Sequence, residues 1–401
     1  VVHRELHRSA YGAAAVVKVG NTLTALGDLA HYRREAYGPK VLAVTGSNGK
    51  TTTKEMIAAI LEEAYMDRKP LRGAILKTEG NFNNLVGLPL TLLRLRKSHK
   101  VAVLELGTNR PGEIQRLTEI AAPDMGIITA VAAAHLEGLN SLAGVAREKG
   151  ALFGGIRGGG MIAVNLADPW VRRLGERFRG KKITYGRGGQ VRAESWRSLG
   201  ARGTMLYLRA GGCKARVRLN FLGEHNVVNA TGAAAMAYGF GVSLSAIRRG
   251  LRKAKPLPMR MQLENWKKIG IINDAYNANP ASMAAAVKTL AGIRCRGERS
   301  AILGDMYELG RQSRQQHLRL GKQLARTGID RLYLLGAQAE QVKRGALRGG
   351  MAAERILVGK DHAEIANLLR RRVRTGDCLL FKGSRGMKME MILDQLKRHK
   401  A

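Results

Sequence analysis

The stretch Val41–Lys54, VLAVTGSNGKTTTK, constrains this chain more than any other. Val41–Val44 is a short apolar run with β-branched residues. A turn holding Gly46 and Gly49 follows, and Lys50 with three threonines leads into helical spacing at Met56, Ile57, Ile60 and Leu61. Strand, glycine turn and helix N-terminus in that order make a phosphate site. The glycines let backbone N–H groups approach phosphate oxygens, Lys50 supplies a point charge for the β- and γ-phosphates, and the Thr51 hydroxyl can reach Mg²⁺. The general pattern GxxxxGK[ST] places a glycine where this chain has Val44, so the loop is a compact TGxxGKT variant. A turn that merely caps a helix seldom sets Gly-Lys-Thr at such a junction.

The 401 residues exceed one ordinary core, so two or three domains are expected. An apolar content of 45% with 49 glycines suits an α/β protein with many tight turns. No window approaches the roughly 18 apolar residues of a membrane helix. Cys213, Cys295 and Cys378 lie far apart without a CxxC pair, which suits a reducing cytosol and excludes a disulfide framework or zinc site; packed or surface thiols are the expectation. The 68 Lys+Arg against 31 Asp+Glu, formally +37, attract polyanions. These residues are spread along the chain, with no aromatic-interleaved basic motif and no nucleic-acid module. A generally basic surface suited to acidic nucleotide substrates is expected, with polyanion binding as a side activity.

Residues 1–38 begin with Val rather than Met, so a fragment or processed chain is expected; the segment is basic, with helical spacing at Leu23, Leu26 and Leu29. His3 and His7 stand four apart, but HRELH is not HExxH, and a solvated helix face is the reading. From 41 to about 255 strands and helices alternate, with strands at Lys100–Leu106, Met125–Thr129 and Gly160–Asn165. This implies a mostly parallel sheet covered by helices. Residues 181–222, with Thr204–Leu208 and Ala215–Phe221, read as antiparallel β, and a helix is expected from His225 to Phe240. Leu257-Pro258-Met259 reads as a boundary. Beyond it, Gly270–Asp274, Ser300–Leu303, Arg331–Leu335, Arg355–Val358 and Cys378–Phe381 are strand-like, as in a doubly wound, Rossmann-like domain.

Glu105 closes a buried strand in LELGTN, where a Mg²⁺ ligand belongs beside a phosphate loop. His135 in AAAHLEG follows the next strand, and Lys149 lies in AREKGALF. Taken singly, these would be a satisfied acid, a packed histidine and a surface lysine; their shared location at strand ends makes them candidates.

The motifs TGSNGKTTTKE, GNFNNLVGLPLTLLRL, LELGTN, AAAHLEG with GVAREKGALF, GEHNVVNATGAAA, PMRMQ, DAYNANP, GDMYELG and KGSRGMKME occur in one order. Together they resemble the Mur ligase family of ATP-dependent amide-bond-forming enzymes. DAYNANP, GDMYELG and GNFNN resemble the branch that adds D-alanyl-D-alanine to UDP-N-acetylmuramoyl-tripeptide in peptidoglycan precursor synthesis. The resemblance implies an N-terminal UDP-binding domain, of which residues 1–38 would be a remnant at about half the family's length. It also implies a central ATP-binding domain at 39–255 and a Rossmann-like domain at 256–401. A cytoplasmic monomer that opens without ligand is expected, with no membrane and no required nucleic acid.

Carried over by motif, the resemblance assigns Gly46, Ser47, Asn48, Gly49, Lys50, Thr51 and Thr52 to the triphosphate. Thr51, Glu105 and His135 would bind Mg²⁺. Lys149 matches a carbamylated lysine, whose negative charge would support Mg²⁺ where an ammonium would repel it. Asn226 and Asn229 would sit at the adenine, Arg260 at the γ-phosphate and Asp274 at the ribose. Thr78, Asn81 and Asn83 would face the UDP-muramoyl substrate, while Asp305, Lys382, Ser384 and Arg385 would place the dipeptide. Two other readings are a sibling ligase adding a single amino acid or glutamate to folate, and a non-catalytic basic protein that binds polyanions. The first shares the loop but not DAYNANP with GNFNN.

Overall fold

The computed structural model describes residues 2, 15–68 and 73–398. His3 and His7 lie outside the described residues.

The first sheet is built from nine strands: β1 (Lys40–Thr45), β2 (Ile75–Lys77), β3 (Val101–Glu105), β4 (Met125–Ile128), β5 (Met161–Asn165), β6 (Lys181–Tyr185), β7 (Val191–Ser198), β8 (Thr204–Ala210) and β9 (Cys213–Leu219). Their order is β2-β3-β1-β4-β5-β6-β7-β8-β9, which sets β1 between β3 and β4. Val41–Thr45 is wholly buried because helices cover both faces, so the strand reads as an unbroken apolar run. On one side Val41 and Ala43 share a core with α1 (Thr22–Tyr37), α3 (Gly87–Leu93), α4 (Glu113–Ala121), α5 (Leu136–Leu139), α6 (Leu142–Gly154) and α7 (Pro169–Arg177). On the other, Leu42 and Val44 meet α2 (Lys50–Arg68), α8 (Glu224–Gly239) and α9 (Leu244–Lys253).

Helix α1 packs on α3 and α4. Its Arg34, 3% exposed, donates to Ala121 O and Ala122 O and pairs with Asp124 at 3.1 Å. The described part of the segment expected as a remnant is thus fastened to the first sheet. Lys181–Tyr185, expected antiparallel, pairs parallel with β5. Helix α7 provides the crossover that returns the chain in the same direction. The antiparallel run begins only at β7.

The second sheet comprises β10 (Gln262–Trp266), β11 (Ile269–Asn273), β12 (Arg299–Leu303), β13 (Arg331–Leu335), β14 (Ile356–Gly359) and β15 (Cys378–Lys382), ordered β10-β11-β15-β12-β13-β14. It is parallel except for β10. Around it run α10 (Pro280–Ala291), α11 (Ser313–Leu324), α12 (Ala339–Arg348), α13 (His362–Arg372) and α14 (Glu390–Arg398). Strand β10 has no expectation from sequence. Its hairpin turns through Lys267 and Lys268, both at positive φ, a conformation usually advertised by Asn-Gly.

Candidate active site

Glycine geometry and hydrogen bonds to its own backbone and to the neighbouring strand hold the phosphate loop in shape. Gly49 has φ +80°, and a Cβ there would stand 2.2 Å from Asn229 Oδ1; at Gly46, φ +146°, it would stand 1.9 Å from Thr129 Oγ1. Both positions therefore require glycine. Ser47 N–H donates to Ala130 O at 2.8 Å, and the Thr129 hydroxyl donates to Asn48 O at 2.5 Å, tying the loop to the end of β4. Lys50 Nζ folds back onto Gly46 O at 2.8 Å. Burial and, further, the Arg260 charge hold the Lys50 ammonium below its usual range, while Glu105 opposes them.

Glu105, 2% exposed, ends β3. Its Oε1 accepts from Asn83 Nδ2 at 2.8 Å, whereas Oε2 is buried without a hydrogen-bond partner. A buried carboxylate oxygen left open is costly unless a cation or donor completes it. This one, in the cavity that the buried Thr51 of α2 also lines, fits a magnesium ion held mainly by phosphate oxygens. Among the described residues no cluster of three or more His, Cys, Asp or Glu could hold a metal without such help. His135, at φ +55° before α5, sets Nδ1 2.5 Å from Glu308 Oε2. Nδ1 is buried and has no partner with hydrogen-bond geometry. A nitrogen donor suits hard Mg²⁺ less well than Glu105 does.

Lys149, on α6, is 1% exposed. The neighbouring Glu148 carboxylate is engaged by Thr108 Oγ1 and by the N–H groups of Gly112 and Ile114. Burial first, and then the Lys50 charge, bring the Lys149 amine down to about 7.

Residues after 256 complete a cavity of about 810 Å³ over the loop. Arg260 lies between Met259 and Met261, both at positive φ, and its guanidinium carbon stands 3.8 Å from the Tyr276 ring centre. Each such residue costs about 1–3 kcal/mol. Met259 N–H to Gln262 Oε1, Tyr276 N–H to Met259 O and Met261 N–H to Asp274 Oδ1 hold the turn. Asn279, the cap of α10, exchanges two hydrogen bonds with Asn48, at 2.8 and 3.3 Å. With Glu137 N–H on Glu308 O, these contacts join the two halves.

Of the residues singled out in the sequence, Ser47, Asn48, Gly49, Lys50, Thr51, Thr52, Asn81, Asn83, Glu105, His135, Asn226, Asn229, Arg260, Asp274, Lys382, Ser384 and Arg385 line this cavity. Gly46 and Lys149 stand behind its wall. Two others stand apart. Thr78 is fully buried and its hydroxyl accepts from Glu105 N–H at 3.0 Å, so it positions the carboxylate rather than facing a substrate. Asp305 is 6% exposed, accepts from Gln338 N–H before α12 and does not line the cavity. Lys382 and Asp274, expected at different substrates, pair with each other at 2.6 Å. Asn226 is bound to Leu222 O, and Asn229 to Asn226 Oδ1.

Residues that sequence reasoning passed over also line the cavity: His225, Tyr276, Asn279, Tyr307 and Glu308. His225 sits within GEHNVVNA, Tyr276 and Asn279 within DAYNANP, and Tyr307 and Glu308 within GDMYELG, so the signal was their company. Burial brings His225 down to about 4, and its Nε2 accepts from Asn226 Nδ2.

The description "Mur ligase middle domain" matches residues 44–237, and "Mur ligase, glutamate ligase domain" matches 259–385. The UDP-N-acetylmuramoyl-tripeptide–D-alanyl-D-alanine ligase of Bacillus subtilis is 35% identical over 387 residues, which is 95% of this chain and 81% of that protein. The crystal structure of MurF from Acinetobacter baumannii superposes with a TM-score of 0.87 at 35% identity, covering 96% of this chain and 82% of that one. MurF from Thermotoga maritima in complex with ADP does so at 0.84 and 26% identity, covering 99% and 87%. With these matches over the phosphate loop, its sheet and the second half of the cavity, the chain belongs to the Mur ligase family.

Proposed function

We propose that this chain joins the terminal carboxylate of UDP-N-acetylmuramoyl-tripeptide to the amine of D-alanyl-D-alanine, converting ATP to ADP and phosphate. The observation that carries this reading is that the TGSNGKT loop, Glu105, Arg260 and Asp274 share one cavity. The peptide carboxylate oxygen attacks the γ-phosphorus and ADP departs, leaving an acyl phosphate. The dipeptide amine then adds to the acyl carbon, and phosphate leaves as the amine loses its proton. Lys50 and Arg260 neutralise charge on the transferring phosphoryl group. Glu105 and Thr51 would hold magnesium, which supplies further neutralisation when bound. The uncharged amine available to Lys149 near neutral pH supports carbamylation by carbon dioxide, giving an anion beside the loop. Asn81 and Asn83 would meet the UDP-muramoyl substrate, and Ser384 and Arg385 the dipeptide. In this reading residues 39–255 form the ATP-binding domain and 256–401 its partner, acting as a cytoplasmic monomer. The B. subtilis relative's name and the ADP in the T. maritima structure support the choice.

The test is ADP release that depends on both substrates. Lys50→Ala is expected to lower kcat by about 10²–10³; unchanged turnover would reject the assignment. Turnover with meso-diaminopimelate or glutamate instead of D-alanyl-D-alanine would point to a sibling ligase.

A further inference from the structure

Far from the cavity, the pleat of β7–β9 gathers basic residues that the sequence scatters. Cross-strand register aligns three rows: Arg192, Arg209 and Lys214; Ser195, Tyr207 and Arg216; Arg197, Met205 and Arg218. The alternating residues Leu206, Leu208, Val217 and Leu219 are buried on the inner face, where α8 and α9 pack. A bulge between Ala193 and Ser195 changes the alternation on β7, turning Arg197 rather than Trp196 to the outer face. Tyr207, 41% exposed, stands in the middle row.

Among the described residues one carboxylate serves this face: Glu194 pairs with Arg209, with Lys214 at 2.9 Å and with Arg192 at 3.9 Å. Arg197, Arg216 and Arg218 are exposed and, among the described residues, make no ion pair or side-chain hydrogen bond. Strand β8 lies five strands from β1, roughly 24 Å at the usual interstrand spacing, so the face is separate from the phosphate loop.

We propose that the outer face of β7–β9 binds single-stranded nucleic acid. Arginine guanidinium groups pair with phosphate in a planar fork and stack on bases, and an exposed tyrosine amid them offers a base a stacking platform. An anionic membrane would need Trp, Phe or Leu to insert, and the outer face offers only Met205. Neither Tyr207 nor the three free arginines contribute to the ligase cavity.

The experiment is fluorescence anisotropy of the full chain with a labelled oligothymidylate of about 16 nucleotides, between about 50 and 200 mM salt. Wild type is expected to bind. The triple variant Arg197→Glu, Arg216→Glu, Arg218→Glu should bind at least ten-fold more weakly, with a salt slope smaller by about 2. Tyr207→Ala should weaken binding about five-fold or more. ADP release by both variants should stay at the wild-type rate, which shows that they fold. Absence of wild-type binding overturns the proposal, as does binding that neither variant changes. Arginine dependence without tyrosine dependence also overturns it, in favour of a non-specific polyanion surface. Preference for phosphatidylglycerol vesicles over the oligonucleotide does so in favour of a membrane.

Discussion

Lys382 Nζ lies 2.6 Å from Asp274 Oδ2 and 2.9 Å from Asn277 O, and only 2% of the Lys382 side chain is exposed. The other Asp274 oxygen accepts from Met261 N–H, next to Arg260. One ion pair therefore links β15, the end of β11 and the turn that aims the arginine. Asp274→Ala leaves a buried ammonium without its counter-charge and is expected to cost about 3–5 kcal/mol in urea unfolding. Adding Lys382→Met should recover much of that loss. A double variant no more stable than the single one would show that the pair is not its source.

Asn279 both caps α10 and reaches Asn48. These functions separate by substitution. Asn279→Ala should lower stability by about 1 kcal/mol, the usual loss of a cap, and raise KM for ATP. Asn279→Ser keeps a capping oxygen but is too short for Asn48, so it should hold Tm near wild type while still raising KM. Equal KM in the serine variant and the wild type would mean that the contact between the halves does not act on nucleotide binding.

Glu105→Gln preserves a side-chain oxygen for Asn83 Nδ2 but removes the charge. The Mg²⁺ concentration for half-maximal ADP release should rise, and kcat should fall by about 10²–10³, the size of a lost electrostatic group. Thr78→Val should act in the same direction more weakly, because the Glu105 N–H loses its acceptor while the carboxylate remains. A Mg²⁺ titration that leaves Glu105→Gln superimposable on wild type would remove Glu105 from the metal site.

The first sheet was legible wherever burial on both faces left a continuous apolar run, as at Val41–Val44 and Val101–Leu104. Strand β10 was not, because its reversal rests on lysines at positive φ, which composition does not announce. The phosphate loop could be read from residue order alone, since glycine there answers a local steric demand. The roles of Thr78 and Asp305 could not, because each is decided by one long-range partner, Glu105 N–H and Gln338 N–H. The cationic face of β7–β9 was hidden for a related reason: its basic residues become neighbours only through strand register and a single bulge.

Burial and the Lys50 charge lower the Lys149 amine from its usual 10.5 to about 7 in the folded chain. Below about pH 7 both folded and unfolded chains hold the proton, and the residue adds no slope to stability. Between about 7 and 10.5 the unfolded chain binds more protons, so stability contributed by this group rises with pH. Urea unfolding of the ligand-free protein should show that rise, and Lys149→Met should flatten it. The same titration governs carbamylation, because only the free amine attacks carbon dioxide. With ¹³C-bicarbonate, a carbamate carbon signal is expected at pH 8, diminished at pH 6 and absent from Lys149→Met. A wild-type spectrum without that signal at pH 8 would leave Lys149 as a buried amine and the loop without an added anion.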